Sequence, residues 1–275
     1  MPPPIITLTT DFGTADSFVG TMKGVILSIA PDAQIVDLTH EIPPQDVQAG
    51  AFAVASAYPY FPAGTIHVIV VDPGVGTQRL PIAVATGSTT FVCPDNGLLS
   101  RALDQNGARV GGVPFVMDRT ALPDTWHAVR LTNADYWHQP LSTTFHGRDI
   151  FAPVAAHLAS GAPIESMGVR ITNLVAFAVP QPTSVSGTSI GQVLHVDRFG
   201  NLTTNLRSSD LPQGQIEIHV GGKAIAGLSE TYQDGGDLIA LIGSGGTLEI
   251  AVRNGDASRA LHSTVGAEVH VISRS

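Results

Sequence analysis

The chain has 275 residues, of which 13% are charged and 43% hydrophobic, and its 29 glycines and 19 prolines supply many turns. This composition is typical of a folded globular protein and excludes a disordered one. A net charge of −9 without any basic run argues against nucleic acid as a partner. No apolar run approaches the roughly 20 residues of a spanning helix, and the N-terminus does not resemble a signal peptide. We therefore expect a cytoplasmic protein that binds no membrane.

The first part of the chain alternates predicted strands and helices. Strands are predicted at 5–9, 34–38, 65–71, 82–86 and 90–93. Helices are predicted at 17–29 with Asp16 as the N-terminal cap, at 46–58 and at 151–160. Residues 94–99 predict a turn that leads into a short helix, and 104–141 predict loops with a covering helix. This alternation indicates an α/β domain with a mostly parallel, doubly wound sheet.

The character of the chain changes after residue 178. Residues 179–187 have the composition of a linker. Short strands separated by glycine turns are predicted beyond it, at 190–196, 215–220, 238–242, 247–252 and 268–272. We therefore expect an α/β domain at 1–178, a linker at 179–187 and an all-β sandwich or barrel domain at 188–275.

Two predicted strands end in a carboxylate followed by glycine. The strand at 65–71 ends in Asp72, with Arg79 within reach of the same turn, and the first strand is followed by Asp11. In open α/β sheets, ligands bind outside the carboxyl ends of the strands. A tight turn with a surface Asp–Arg pair explains the Asp72 segment equally well.

Three further segments place polar residues beside glycines. His146 precedes a glycine at the predicted start of a helix and could act as a base, or could merely bond a loop carbonyl. Phe199 and Asn201 follow a β-domain strand and could stack on and bond a purine, or could simply form a turn. The loop at 243–246 resembles a phosphate loop, but it lacks the lysine and the helix that such loops need.

The sequence gives little support for a disulfide, a metal site or a serine-hydrolase site. Cys93 is the only cysteine, so no internal disulfide can form, and its apolar surroundings predict a buried filler. The ten histidines show no metal-binding spacing, and no nucleophile-elbow motif of a serine hydrolase occurs. We expect no metal site.

Five motifs together resemble the S-adenosyl-L-methionine (SAM) hydroxide adenosyltransferases, which are adenosine-forming hydrolases related to the fluorinase and the chlorinase. The motifs occur in the family's order and leave 104–141 and 207–237 unmatched. They are T-D-F-G-T-A-D-S-F-V-G-x-M-K-G at 10–24, V-D-P-G-V-G-T-Q-R at 71–79, P-D-N-G-L-L at 94–99, T-F-H-G-R-D at 144–149 and D-R-F-G-N-L-x-T-N at 197–205.

The resemblance implies an N-terminal α/β domain, a C-terminal β-barrel and a homotrimer whose ligand lies between one subunit's N-terminal domain and its neighbour's C-terminal domain. It assigns Asp72, Arg79 and His146 to the positioning of water or hydroxide for attack on ribose C5′. Its substrate-binding positions are Asp11 for the ribose hydroxyls, Asp197 for the methionine amino group, Asn201 for adenine, Ser244 for the methionine carboxylate, Phe199 in the pocket lining and Asn254 near the adenine.

The implied reaction converts SAM to adenosine and L-methionine without a cofactor. The leaving group is a neutral thioether, so the reaction needs a good nucleophile and no general acid. A halogenase of the same group is an alternative, although a charged Asp72 in place of the halogenase tyrosine disfavours halide. A non-catalytic adenosine- or SAM-binding module is the other alternative, and the intact set of Asp72, Arg79 and His146 argues against it.

Overall fold

A computed structural model describes residues 2–108, 110–234 and 236–274. The chain divides into two units, Met1–Val179 and Pro180–Ser275. The strands of the first unit are β1 Ile5–Thr10, β2 Gln34–Thr39, β3 Ile66–Val70, β4 Pro81–Ala85, β5 Thr90–Pro94, β6 Met117–Ala121, β7 His127–Leu131, β8 Gly168–Ile171 and β9 Asn173–Phe177. Its helices are α1 Phe18–Ile29, α2 Val47–Ala57, α3 Ser100–Gln105 and α4 Ala152–Ala159.

Seven of these strands form one sheet in the order β2-β1-β3-β5-β4-β7-β8. The neighbouring pairs β2-β1, β1-β3 and β3-β5 are parallel, whereas β5-β4, β4-β7 and β7-β8 are antiparallel. Strands β1, β2, β3, β5 and β7 therefore run in one direction. The predicted α/β class is confirmed, with antiparallel pairing added at one side of the sheet.

Alternating side chains of the central strands enter two apolar layers. Val68 and Val70 of β3 pack in one buried cluster with residues of α1 and α4. Val71 points the other way, because a Cβ added to Gly50 of α2 would meet its Cγ2 at 3.1 Å. All five residues of β3 are buried, as a strand covered on both faces requires. Helices on both faces make β1 and β3 the centre of a doubly wound sheet.

Two local predictions in this unit are wrong. Ser17, and not Asp16, is the N-terminal cap of α1, and no side chain bonds the free N–H groups there. The segment 104–141 has no covering helix among its described residues beyond the last turn of α3. It holds β6, β7 and a short 3-10 helix, Ala134–Tyr136. The sequence pattern predicts loops there because β6 is mostly exposed and β7 is short, so neither strand shows a strong hydrophobic periodicity.

The second unit contains an antiparallel sheet. Its elements are β10 Thr183–Val185, β11 Thr188–Val196, β12 Leu202–Arg207, β13 Ile216–Val220, β14 Lys223–Ala226, β15 Leu238–Ile242, β16 Thr247–Val252, α5 Ala257–Leu261 and β17 Glu268–Ser273. The main order is β14-β13-β17-β11-β12-β16-β15, and β10 pairs with β11. The outer strands β14 and β15 lie close together, so the sheet is nearly closed and the predicted barrel is confirmed.

Part of the predicted linker at 179–187 is a strand. Thr183–Val185 pairs with Thr188–Ile190 through a hairpin turn in which Ser186 and Gly187 both have positive φ. Such a turn needs residues that tolerate the left-handed region, which explains why this stretch has the composition of a linker.

Two further predictions concern the single cysteine and membrane-spanning helices. Cys93 is completely buried, as predicted, and burial raises the pKa of its thiol. No helix among the described residues is long and apolar enough to cross a membrane. The cytoplasmic location stays a prediction.

One buried histidine makes the fold sensitive to acid. His67 of β3 is completely buried among aromatic rings, and its Nδ1 lies 2.7 Å from Thr7 Oγ1. Burial lowers the pKa of His67 from 6.5 to about 4. Between these values the unfolded chain binds a proton that the folded chain does not. The free energy of unfolding therefore falls as the pH drops through this window.

We predict that His67→Gln reduces this acid sensitivity. Between about pH 7.5 and about pH 5, the free energy of unfolding should fall by about 2 kcal/mol less in the variant than in the wild type. Urea unfolding at both pH values measures the difference. His138→Gln, at an exposed histidine, is the control and should behave like the wild type. An equal loss in wild type and His67→Gln would contradict the prediction.

Candidate active site

Asp11 and Asp72 lie at adjacent carboxyl ends of the central strands. Thr10 of β1 pairs with Val70 of β3, so the residues that follow each strand leave the sheet side by side. The chain goes from β1 to β2 on one side and returns to β3 on the other, which makes this the point where the strand order reverses. Open α/β sheets bind ligands at this point.

Arg79 folds back onto Asp72 across a glycine-containing turn. Its Nε donates to both carboxylate oxygens at 2.9 Å, and its terminal nitrogen donates to Oδ2 as well. The Arg79 and Asp72 side chains are only 9% and 5% exposed. The guanidinium also lies over the Phe151 ring at 5.3 Å. The surface-pair interpretation is therefore wrong, because this ion pair is shielded from solvent.

His146 joins the same cluster through Arg79. The terminal guanidinium nitrogen lies 2.7 Å from His146 Nδ1. Arginine can only donate, so Nδ1 accepts and the neutral ring carries its hydrogen on Nε2. Burial and the adjacent Arg79 charge lower the pKa of His146 below its ordinary value. His146 is thus held as a neutral imidazole, and its ring also forms a hydrogen bond with the Ser142 backbone.

The loop that carries His146 is fixed by a buried carboxylate. Asp149 is completely buried and accepts hydrogen bonds from Ser142 N at 2.8 Å and Arg148 Nε at 2.6 Å. Its backbone carbonyl accepts from His138 N at 2.8 Å. These bonds close the loop in front of the π-helical turn Gly147–Phe151, and so set the position of His146.

A cavity of about 380 Å³ opens beside these groups. Asp11, Asp72 and His146 all contribute to its wall. Three aromatic rings, Phe12, Phe18 and Phe145, line the same cavity, and Phe145 packs edge to face against the other two. The other lining residues are Pro44, Gln45, Val70, Pro73, Val75, Thr144 and Gly147.

Four of the predicted substrate-binding residues line a second cavity, of about 650 Å³, in the C-terminal unit. They are Asp197, Phe199, Asn201 and Asn254. Phe199 is 74% exposed, so its ring is open to this cavity. Tyr232, Gln233 and Arg253 lie in the same wall.

Asp197 also organises its own turn. Its carboxylate accepts from Phe199 N at 2.8 Å, from Asn201 N at 2.9 Å and from Asn201 Nδ2 at 3.0 Å. Gly200 must be glycine here, because φ is +84° and a Cβ would lie 2.2 Å from Asp256 Oδ1. The turn interpretation of this motif and the binding interpretation are thus compatible, since the turn presents Phe199 to the cavity.

Some residues are placed differently from the sequence analysis, or were missed by it. Ser244 lies in the turn between β15 and β16 and is not among the residues that line either cavity, so its role stays a prediction. Tyr232 was missed because it falls between the motifs; its hydroxyl donates to Glu249, and it lies in the wall of the second cavity. Gln45 was missed because it belongs to no strand end, although its φ of +67° marks an unusual conformation.

No group of three or more His, Cys, Asp or Glu side chains in the part of the chain that the structure describes is arranged to hold a metal ion. Two carboxylates and one neutral imidazole line the cavity of the first unit, and the Arg79 guanidinium bonds Asp72 and His146 from outside the lining. Such a set can bind and orient a small polar nucleophile beside an apolar wall.

Comparison with models of known protein families shows to which family the chain belongs. The SAM hydroxide adenosyltransferase N-terminal domain matches residues 6–168, and the C-terminal domain of the same family matches residues 191–270. The chain belongs to the SAM hydroxide adenosyltransferase family. The resemblance that the five motifs indicate is therefore confirmed, and the two matched ranges fall in the two structural units.

Several known proteins are similar to this chain over nearly its whole length. An (R)-S-adenosyl-L-methionine hydrolase of Salinispora tropica is 40% identical over 98% of each chain. One of Thermus thermophilus is 39% identical over 95% of this chain and 97% of the relative. A fluorinase of an Actinoplanes species is more distant, at 29% identity over 90% of each chain. An uncharacterised conserved protein of Thermotoga maritima has the same fold, with a TM-score of 0.84 and 34% identity over 98% of this chain and 100% of the other.

The close packing of the two loops at this site can be tested at Gly76. Its φ is +74°, and a Cβ would lie 2.5 Å from the Thr143 carbonyl oxygen, in the loop that leads to His146. We predict that Gly76→Ala lowers the free energy of unfolding by roughly 1–3 kcal/mol. Gly87→Ala is the matched control, because nothing lies within 4 Å of its added Cβ. Chemical denaturation compares the two, and equal stabilities would refute the packing argument.

Proposed function

We propose that this protein hydrolyses S-adenosyl-L-methionine to adenosine and L-methionine by attack of water or hydroxide at ribose C5′. The observation that carries the proposal is the shielded Asp72–Arg79–His146 cluster at the carboxyl end of β3, beside a cavity. The relatives named (R)-S-adenosyl-L-methionine hydrolase are more similar to this chain than the fluorinase is, which supports hydrolysis over halogenation.

The reaction forms one bond and breaks one. An oxygen lone pair attacks C5′, and the electrons of the C5′–S bond return to sulfur, which leaves as the neutral thioether of methionine. The attacking water loses one proton. The positive charge that SAM carries on sulfur is therefore balanced, after the reaction, by this released proton. Because the leaving group departs neutral, no residue needs to protonate it.

The hydrogen bonds divide the roles among the three residues. His146 Nδ1 already accepts from Arg79, so the ring cannot take the proton through that atom, and Nε2 carries a hydrogen. We assign His146 the donation of a hydrogen bond that orients the nucleophile, and Asp72 the acceptance of its proton. Arg79 holds both groups and favours an oxygen that gains negative character.

Electrostatics fits a positively charged substrate. The Asp72 and Arg79 charges cancel, so a sulfonium enters a site that has no net positive charge from this pair. Asp11 adds a carboxylate to the same cavity. Because the Asp72–Arg79 pair is shielded from water, each of its two charges interacts more strongly with the charges that develop in the transition state than it would at the surface.

We also propose a homotrimer in which the two half-sites come from different subunits. The catalytic cluster and Asp11 belong to the N-terminal unit, whereas Asp197, Phe199, Asn201 and Asn254 belong to the C-terminal unit. Each half offers part of what SAM needs. One half has the reactive cluster beside a carboxylate for ribose, and the other has exposed aromatic and amide groups suited to adenine.

We predict that Asp72→Asn abolishes most of the hydrolysis. The amide keeps the shape of the side chain but removes the proton acceptor and the partner of the buried Arg79 charge, so kcat should fall by at least about 100-fold. Chromatographic measurement of adenosine and methionine from SAM checks this. Asp118→Asn, at an exposed aspartate outside the cavity, should retain wild-type turnover. Full activity in Asp72→Asn, or no adenosine from the wild type, would overturn the proposal.

Mixed subunits test the shared site. Asp72→Asn chains and Asn201→Ala chains, each with low activity alone, should regain a substantial part of the activity when they are unfolded, mixed and refolded together. In such mixtures an intact N-terminal half from one chain can face an intact C-terminal half from the other. No gain after mixing, with mixed oligomers verified by mass, would show that both halves come from one chain.

A further inference from the structure

A buried histidine outside the catalytic cluster holds the turn that carries Asp11. His40 directly follows β2 and is 5% exposed. Its Nδ1 lies 2.9 Å from the Oγ1 of Thr10, the residue before Asp11. Its backbone carbonyl accepts a hydrogen bond from Gly13 N at 2.8 Å. The side chain and the backbone of His40 thus bind both ends of the turn at 10–13.

The hydrogen bonds around Thr10 orient the His40 ring. Thr10 Oγ1 accepts from Phe12 N at 3.2 Å and is also hydrogen-bonded to His40 Nδ1. On the far side of the ring, Nε2 lies 3.0 Å from Asp37 Oδ1. Asp37 is itself held by Lys23 Nζ at 2.6 Å. A chain of polar contacts therefore connects α1, β2 and the end of β1.

The loop that begins at His40 returns to Asp11. Gln45 N donates to Asp11 Oδ2 at 2.8 Å, and Gln45 adopts a φ of +67° to do so. A non-glycine residue in this region is strained and keeps its conformation only where the surrounding structure fixes it. Both Asp11 and Gln45 line the catalytic cavity. The direction of the Asp11 carboxylate thus depends on two segments that meet at His40.

We propose that His40 is a positioning residue for substrate binding, acting through Thr10 and Gln45 to aim the Asp11 carboxylate at the ribose hydroxyls of SAM. This rests on the proposed function, in which Asp11 binds the ribose. His40 does not line the cavity that contains Asp11, so it acts on the substrate only through these neighbours.

The chain contains a matched control for this bond. His67 is also buried, and its Nδ1 also bonds a β1 threonine, Thr7 Oγ1 at 2.7 Å. Thr7 lies three residues before the end of β1, and His67 is not among the residues that line the cavity. Loss of His67 should therefore affect stability without affecting Asp11.

The experiment is a double-mutant cycle on SAM hydrolysis. We predict that His40→Leu raises KM by about 10-fold, because the misplaced Asp11 binds ribose less well. It should add almost nothing to the defect of Asp11→Asn, since both changes remove the same interaction. His40→Asn, which keeps a polar atom near the Nδ1 position, should restore most of the affinity. His67→Leu should lower stability, leave KM unchanged and be additive with Asp11→Asn.

Additive effects of His40→Leu and Asp11→Asn, or a loss of kcat with unchanged KM as expected of a partly unfolded enzyme, would overturn the inference. If His40→Leu fails to fold, Thr10→Val removes the same hydrogen bond and enters the same cycle. Calorimetric titration with adenosine gives the cycle without turnover. A wild-type protein that binds adenosine but forms none from SAM would contradict the proposed function. The double-mutant cycle measured by adenosine binding would still test the role of His40.

Discussion

The site depends on one guanidinium that is shared between two partners. Arg79 donates to both oxygens of Asp72 and to Nδ1 of His146, and it lies against the Phe151 ring. This arrangement pairs Asp72 with a cation in a place shielded from solvent, and burial together with the Arg79 charge lowers the pKa of His146 below its ordinary value. Asp149 then fixes the loop that brings His146 to Arg79. The cluster would lose both its charge balance and its geometry without Arg79.

The fold class and the strand-end positions of Asp11 and Asp72 could be predicted because their signals are local, whereas the grouping of Asp72, Arg79 and His146 came from the resemblance to the family. Buried β-branched runs that end in Asp11 or Asp72 indicate strand ends at the ligand-binding edge of an α/β sheet. By contrast, β6 and β7 were missed because exposed or short strands show no clear alternation of hydrophobic and polar residues. Both form strands because they pair with strands distant in the sequence. The wrong cap at Asp16 has a similar cause, since an aspartate before a helix predicts a cap only where its carboxylate reaches the free N–H groups. Gln45 and Tyr232 carried no signal, because only tertiary bonds place them in the cavity walls.

The two units contribute different kinds of chemistry. The N-terminal unit provides ionised and neutral partners in fixed positions on strand ends and short loops, as accurate orientation of a small nucleophile requires. The C-terminal unit provides a turn held by Asp197 that exposes Phe199 beside Asn201 and Tyr232, which suits recognition of a flat, polar ring. In the proposed trimer, specificity for SAM depends on both units.

The most direct measurement of the central claim is the fate of the oxygen atom during turnover in ¹⁸O-labelled water. Attack of water at C5′, oriented by the Asp72–Arg79–His146 cluster, predicts one ¹⁸O atom in the 5′-hydroxyl of adenosine and none in methionine. Mass spectrometry of both products reads the label. Unlabelled adenosine, label in the methionine fragment, or products that retain the C5′–S bond would contradict the account.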